Sequence, residues 1–243
     1  MLSQDSKVKG KLSLPLLDAP VTVRMRFRKV GNLQYISHLD LQRTFSHVLM
    51  RADIPTWYTK GFNPHPKIVF ATPLSVGSES VCELVDVRID REITHEAILR
   101  QMNAQLTDEL CVTEVYTPDS KFSDIAWAAY EITLTSSALV AEDVERVRAL
   151  LSSSPLTVLK HTKSGEREVD IADRIGEYDV AFADGSLTLS IVLSASPDRY
   201  LGPEYIVGLL RDRLGLMTGD PREERYRILR TRVLLADGRT EFR

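Results

Sequence analysis

The sequence predicts an α+β protein made of two tandem ferredoxin-like units, each with the element order β-α-β-β-α-β. Three observations predict this fold class. Several segments alternate between apolar and polar residues, as strands do; each half has two segments with helical spacing of apolar residues; and the order of these segments repeats along the chain. The 243 residues are sufficient for two such small domains.

The first unit is predicted to begin with a strand and a helix. Residues 21–30, VTVRMRFRKV, alternate strictly between apolar and polar side chains, which indicates a half-buried strand. Ser37 is the predicted N-cap of the helix, because Asp40 follows three residues later as in a capping box. The helix is predicted over residues 38–52, with an apolar face toward the core.

The remaining elements complete both units. A strand broken by a Gly/Pro turn, the alternating strand VCELVDVRID, a helix capped by Thr94 and the strand CVTEVYT follow in the first half. The second half repeats this order from YEITLTS to RYRILRTRVLL. We therefore expect a first unit over residues 21–117, a linker over 118–127 and a second unit over 128–243. Residues 1–20 show no periodicity and are predicted to be a disordered tail.

Composition argues against several classes of protein. No apolar run is long enough to span a membrane, and the first 20 residues are too polar for a signal peptide, so we expect a cytoplasmic protein. Cys82 and Cys111 stand 29 residues apart without a partner pattern, which supports neither a disulfide framework nor a zinc or iron–sulfur site. We expect no metal and no cofactor, and the sequence identifies no catalytic residue.

Charge is distributed unevenly along the chain. Residues 21–70 contain eight Lys or Arg residues against two acids, a net charge of +6, whereas the whole chain has a net charge of −3. A basic segment on an acidic protein favours an anionic partner at one face, and RNA is the partner we consider first. Lys60 and Lys67 belong to this basic segment and are candidate contacts.

Three arginines are predicted to share one face of the first strand. Arg24, Arg26 and Arg28 alternate with apolar residues, so they project from the sheet face that the helices leave uncovered. There they would hold the phosphates of a single-stranded RNA. The alternative is a cross-strand ladder, in which Asp86 or Glu83 on the neighbouring strand neutralises them. The strands lack aromatic residues where RNA-recognition domains use them for base stacking.

A second basic row is predicted on the first helix. Arg43, His47 and Arg51 are spaced four residues apart, which places their side chains on one helix face. Such a row is either an ordinary solvated face or one wall of a binding groove beside the open sheet. All three residues are candidate contacts for nucleic acid or for a protein partner.

The segment GFNPHPK, residues 61–67, is the most informative turn. Pro64 and Pro66 flank His65 and restrict the main chain on both sides of it to extended conformations. A rigidly presented histidine suits ligand contact or acid/base chemistry, whereas in a merely structural turn its ring would cap a strand. We favour binding as the role of His65, because no carboxylate or nucleophile lies nearby in the sequence.

Two stretches of the chain resemble a known family. RFRKVGNLQYISHLDLQRTFSHVLMRADIP and GFNPHPKIVFATPLSVGSESVCELVDVRI are similar to the signature region of the radical-SAM-associated family of uncharacterised bacterial proteins. The resemblance extends over about residues 21–235. In that family the domain occurs alone or fused behind an enzyme of the radical-SAM, cobalamin-binding type. The resemblance therefore implies a radical-SAM enzyme as partner, and it implies no reaction.

The sequence supports three functional hypotheses. We favour a non-catalytic accessory module that presents RNA or a ribosome-linked substrate to a separate radical-SAM enzyme. The second hypothesis is a stand-alone RNA-processing or RNA-modifying enzyme that uses acid/base chemistry at His38, His47 or His65. The third is a module that binds only its protein partner, with the basic segment meeting an acidic surface.

Overall fold

The structure is a computed structural model that describes residues 10–162, 165–217 and 222–243. These residues form two compact units. Unit 1 comprises the described residues up to Phe122 together with Arg243, and unit 2 comprises those from Ser123 to Phe242. Within the described ranges, no helix is long and apolar enough to cross a membrane.

Unit 1 has the element order that its sequence predicts. In chain order its helices and strands are β1 (Leu16–Lys29), α1 (His38–Arg51), β2 (Ile68–Phe70), β3 (Ser78–Arg91), α2 (His95–Asn103) and β4 (Leu110–Tyr116). The sheet order is β4-β1-β3-β2, and each neighbouring pair is antiparallel. The apolar set of the alternating strands faces a core that both helices share.

The packing of unit 1 follows from its sequence pattern. Met25 and Phe27 on β1 are fully buried, and the ring centroid of Phe27 lies 4.7 Å from that of Phe45 on α1. The hydroxyl oxygen of Ser37 accepts a hydrogen bond of 3.1 Å from the N–H of Asp40, so α1 begins at its predicted cap. The aromatic contact packs α1 against β1, which is one of the two central strands of the sheet.

Unit 2 repeats this order with an additional hairpin. Its helices and strands are β5 (Trp127–Thr135), α3 (Asp143–Leu151), β6 (Thr157–Thr162), β7 (Gly165–Asp170), β8 (Ile175–Ala183), β9 (Ser186–Ser194), α4 (Pro203–Leu214) and β10 (Arg225–Leu234). Its main sheet has the order β10-β5-β9-β8, and β6 and β7 form a separate two-stranded sheet. The hairpin of β6 and β7 lies in the chain between the first helix of the unit and the strand β8.

The α+β class predicted from the sequence is confirmed. When the main-sheet strands of each unit are numbered along the chain, both units have the spatial order 4-1-3-2. This shared order and the antiparallel pairing support two ferredoxin-like units, an assignment that stays a prediction. Unit 1 ends at Phe122, inside the predicted linker, and β5 already begins at Trp127.

The predicted disordered tail over residues 1–20 is wrong in its second half, and residues 1–9 lie outside the described part of the chain. Strand β1 begins at Leu16, which is in register with Arg91 on β3. The guanidinium of Arg91 also donates to the main-chain oxygens of Leu12 and Leu14. A register shift between Leu16 and Val21 interrupts the side-chain alternation, so the sequence pattern does not reveal this part of the strand.

Candidate nucleic-acid interface

Arg24 is buried in the sheet of unit 1 instead of facing solvent. Only 1% of the residue surface is exposed. Its Nε and Nη2 donate to the two carboxylate oxygens of Asp86 at 2.7 and 2.9 Å, a bidentate ion pair between β1 and β3. Arg24 therefore forms a cross-strand ion pair with Asp86. This pairing is the alternative to phosphate binding that the sequence also predicted.

The other side of the Arg24 guanidinium is also occupied by protein groups. Its Nη1 donates to the hydroxyl of Ser120 at 2.8 Å and to the main-chain oxygen of Arg243 at 3.1 Å. The ring of Phe122 lies 4.2 Å from the guanidinium carbon, within the range of a cation–π contact. The expectation that all three arginines line an open sheet face is therefore wrong for Arg24, because residues 120–122 cover it.

Arg26 and Arg28 are both half-buried and differ in their surroundings. Arg26 is in register with Glu114 on β4, so an acidic residue stands directly across from it. The Nε of Arg28 donates to the main-chain oxygen of Asp108 at 2.8 Å. Glu83 is in register with Phe27, one position away from the arginine row. Arg26 and Arg28 stay candidate contacts for nucleic acid. The net positive charge of their sheet face is smaller than the three arginines alone imply.

The second basic row is exposed on α1. Arg43, His47 and Arg51 are all exposed, as helical spacing predicts. The Nη1 of Arg43 lies 3.3 Å from a carboxylate oxygen of Asp40, and both side chains are more than half exposed. Exposed pairs of this kind contribute about 0 to 1 kcal/mol, so the pair does not fix Arg43. The role of this row stays a prediction.

The ring of His38 is held by contacts within unit 1. Its Nε2 lies 3.1 Å from the side-chain nitrogen of Gln42, one turn further along α1. The edge of its ring packs against Phe70 on β2, with centroids 5.4 Å apart. These contacts account for both the position and the orientation of the ring at the start of α1.

Residues 57–67 form a hairpin that we call the hairpin arm. The N–H of Thr59 donates to the main-chain oxygen of His65 at 2.9 Å, and the N–H of Lys67 donates to that of Trp57 at 3.1 Å. Both strands of the arm are bonded to Arg88 on β3, whose main-chain oxygen accepts from Trp57 at 2.8 Å and whose N–H donates to Lys67 at 3.1 Å. The base of the arm is therefore held by the sheet.

The arm occupies the same place in unit 1 as the β6–β7 hairpin does in unit 2. Each lies between the first helix of its unit and the second strand of the main sheet. The arm turns at Gly61, whose φ of +137° is a conformation that side chains disfavour. Beyond it, Phe62 at the tip is fully exposed, with a relative accessibility of 112%.

The ring of His65 is oriented by the arm itself. Its Nδ1 lies 3.1 Å from the main-chain oxygen of Asn63 and 3.2 Å from the hydroxyl oxygen of Thr59. Both contacts are made by Nδ1, so the arm orients the ring through this nitrogen. Within the described residues, Nε2 has no hydrogen-bond partner. His65 is thus exposed, and its second nitrogen is available to a ligand.

The charge of the hairpin arm is entirely positive. Lys60 and Lys67 are exposed, and residues 54–78 contain no acidic residue. At the base of the arm, the guanidinium carbon of Arg88 lies 5.5 Å from the ring centroid of Trp57. The structure therefore brings three predicted contacts, at residues 60, 65 and 67, onto one hairpin with exposed aromatic surface.

Sequence reasoning missed Phe62, Trp57 and Arg88 as members of this surface. RNA-recognition domains carry their stacking aromatics at strand positions, whereas Phe62 is in a turn. One available signal is the composition of the turn, in which a large apolar residue stands between Gly61 and Pro64, where solvent exposure is usual. Arg88 and Trp57 are 31 residues apart, and only strand pairing brings them together.

The hairpin arm presents an oriented histidine, cations and an aromatic ring to solvent. None of the described hydrogen bonds of His65 involves a carboxylate, the group that usually orients a catalytic imidazole. Among the described residues, no three or more His, Cys, Asp or Glu side chains lie together as a metal site would require. Exposed cations and an exposed ring on a rigid hairpin are the groups that bind a single-stranded nucleic acid.

Two solved structures are similar to this chain at low identity. A chain of a Cbf5-Nop10-Gar1 complex matches with 11% identity and a TM-score of 0.44, over 87% of this chain and 48% of that chain. This chain therefore spans about half the length of the one it matches. An unknown protein from Galdieria sulphuraria matches with 10% identity and a TM-score of 0.26, over 87% of this chain and 99% of its own. No match is found among curated proteins.

A family model matches most of the chain. It covers residues 22–203, which include all of α1, the hairpin arm and the main sheet of unit 1 from Thr22 onward. The model is described as an uncharacterized protein conserved in bacteria. Because the match extends over well more than half of the sequence, the chain belongs to this bacterial family, DUF2344.

Proposed function

We propose that this protein is a non-catalytic accessory module of the bacterial cytoplasm that binds RNA and presents it to a separate radical-SAM enzyme. The observation that carries the proposal is the hairpin arm, which exposes two lysines, a histidine and a phenyl ring on an acid-free stretch of chain. Cations attract the phosphates, and an exposed ring offers a surface for a base.

The radical-SAM partner rests on the resemblance of the signature region and on the cysteines. A radical-SAM cluster needs a close set of cysteine ligands, whereas Cys82 is buried and stands 29 residues from Cys111. Any such chemistry would therefore be supplied by the partner. Cross-linking in bacterial cells followed by mass spectrometry should recover a radical-SAM protein, and its consistent absence would contradict this part of the proposal.

RNA binding is tested by fluorescence anisotropy with a short labelled RNA of mixed sequence between about 50 and 200 mM salt. Replacing Lys60 and Lys67 together with alanine should weaken binding, because two phosphate contacts are lost. For single strands each contact contributes about 0.7 to the slope of log K against log salt, so the slope should fall by about 1.4. An unchanged affinity and slope would refute the arm as the RNA site.

The matched control removes two arginines from β10 in unit 2. Arg225 and Arg232 are exposed and lie outside the basic segment of residues 21–70, so their double alanine variant changes the net charge equally. We expect this control to retain most of the affinity and the slope. An equal loss in both variants would mean that only the net charge of the protein matters.

A second candidate function is RNA cleavage or modification with His65 as the acid/base group. It is favoured by the fixed ring, whose Nδ1 is bonded within the arm while Nε2 is free of protein partners among the described residues. Incubation of the purified protein with total bacterial RNA separates the two functions. Processing that is abolished by His65→Ala would replace the accessory role with an enzymatic one.

A further inference from the structure

Phe62 is the least buried aromatic residue described in the chain. Its ring stands at the tip of the hairpin arm with a relative accessibility of 112%, so no part of unit 1 covers it. Exposing a whole phenyl group gives up the free energy that burial in the core would provide. An exposed phenylalanine in a rigid turn is therefore a candidate for contact with another molecule.

The arm fixes the main chain on both sides of this ring. Thr59 and His65 bond each other through main-chain and side-chain groups, and Pro64 restricts the main chain next to the tip. The base of the arm is hydrogen-bonded to β3 on both sides. Because the main chain that carries the ring is already fixed, binding costs only the rotational freedom of the phenyl side chain, which favours its use as a contact.

The charges around the ring indicate what it contacts. Lys60 precedes Phe62 by two residues and Lys67 follows on the return strand, while acidic residues are absent from 54–78. An apolar pocket of a protein partner would account for the ring alone, and it would need an acidic rim to account for the cations. A nucleotide offers both a planar face for the ring and a phosphate for the cations.

Stacking geometry favours unpaired nucleotides over a duplex as the ligand of Phe62. In a duplex both faces of each base are covered by neighbouring bases, so a phenyl ring on a hairpin tip has no free face to meet. Unpaired bases in loops, bulges and single strands expose their faces and are the bases that proteins stack on aromatic side chains.

We propose that Phe62 stacks on an unpaired base of the RNA while Lys60 and Lys67 contact the flanking phosphates. This inference rests on the proposed function and specifies its substrate class, which is unpaired nucleotides rather than duplex RNA. Phe62 acts as a binding residue that is independent of base identity, because every base has a face for stacking.

The test uses one RNA sequence in two forms, single-stranded and paired with its complement, with 2-aminopurine as a fluorescent base. Wild-type protein should bind the single strand more tightly and change the fluorescence of the 2-aminopurine, which depends on how that base is stacked. Phe62→Ala should weaken binding of the single strand by roughly 5- to 140-fold, the range that stacking on one base provides. The same variant should leave the weaker duplex binding nearly unchanged.

Two further variants separate stacking from general apolar contact. Phe62→Trp should preserve the affinity, because indole also offers a flat ring. Phe62→Leu preserves apolar volume without the ring and should behave like Phe62→Ala. Wild-type affinity in Phe62→Leu would overturn stacking as the interaction. Because Phe62 is fully exposed, we expect every variant to unfold at the wild-type urea concentration.

The outcomes distinguish this inference from the proposed function. If Phe62→Ala binds single strands as the wild type does while the variant lacking Lys60 and Lys67 does not, the stacking inference falls and RNA binding by the arm stands. If the wild type binds neither form of the RNA, both proposals fall. Tighter binding of the duplex than of the single strand would overturn the substrate class.

Discussion

Replacing Arg24 with alanine should destabilise unit 1 severely while leaving the surface that we propose for RNA unchanged. The substitution removes a guanidinium that is 1% exposed and leaves the carboxylate of Asp86 without its bidentate partner. The unpaired carboxylate has lost most of its hydration on folding, and no ion pair compensates for that loss. The contacts of Arg24 with Ser120 and Phe122 are lost together with the ion pair.

The size of the effect follows from how deeply the two partners are buried. Breaking a fully buried ion pair costs about 3–5 kcal/mol. The side chain of Asp86 retains 18% exposure, so water partly solvates the stranded carboxylate and the low end, about 3 kcal/mol, applies. Against a total stability of about 5–15 kcal/mol this is a large fraction. For unit 1, whose size lies between the classes for which about 4 °C per kcal/mol is the shared bound, it corresponds to a fall in melting temperature on the order of 12 °C.

Urea unfolding followed by circular dichroism measures this change, and two variants control it. Arg28→Ala removes an arginine of the same strand whose described bond is a single contact with a main-chain oxygen, so it should cost about 1.5 kcal/mol, half of the loss in Arg24→Ala. The double variant Arg24→Met with Asp86→Leu replaces the ion pair by apolar groups and should recover most of the stability. If Arg24→Ala loses no more stability than Arg28→Ala does, the buried pair is not the structural element we describe.

Two further predictions concern a helix cap and a carboxylate. Thr94→Ala should lower the free energy of unfolding by about 1 kcal/mol in urea titrations, because the Thr94 hydroxyl accepts from the N–H of Ala97 at 3.2 Å, and Thr94→Ser should retain the cap. A hydrogen bond from the Thr240 hydroxyl, together with the N–H groups of Arg239 and Thr240, lowers the pKa of Asp237 from 3.8 to about 2. Since the folded pKa is the lower one, this stabilisation is present above about pH 4 and is lost as the pH falls through about 2. Carboxyl NMR titration should show the pKa of Asp237 rising in Thr240→Val, and an unchanged pKa would contradict the assignment.

The main elements of the fold could be predicted because the sequence contains the alternation of apolar and polar residues that strands show and the capping residues that helices use. The alternation of residues 21–30 identifies the centre of β1, and the capping pair of Ser37 and Asp40 identifies the start of α1. The first five residues of β1 could not be predicted in the same way. A register shift follows Leu16, and Pro20 contributes no N–H to a ladder, so the alternating signal begins only at Val21.

The candidate site could be predicted only in part. Sequence patterns predict toward which face a side chain points, but they do not predict which residues cover that face. Two prolines next to His65 indicate a rigid turn, and the structure has a hairpin there with the histidine exposed. Strand alternation also places Arg24 on the face opposite the core, but it carries no information about what covers that face. The covering residues, Ser120 and Phe122, are almost 100 positions away and form no periodic pattern.

Strand register explains why the RNA site is expected at the arm and not at the arginine row, although both belong to the same basic segment. Asp86 is ion-paired with Arg24, and Glu114, which is in register with Arg26, is ion-paired with Arg243, so the acids of β3 and β4 reduce the net positive charge of this face. The arm is also attached to β3, at Arg88, but the chain from 54 to 78 brings no acid with it. Neither Lys60 nor Lys67 pairs with an acidic side chain in the part of the protein that the structure describes. Positive charge that the protein leaves uncompensated attracts phosphate most strongly, so the salt dependence of RNA binding should follow the two lysines and not Arg24.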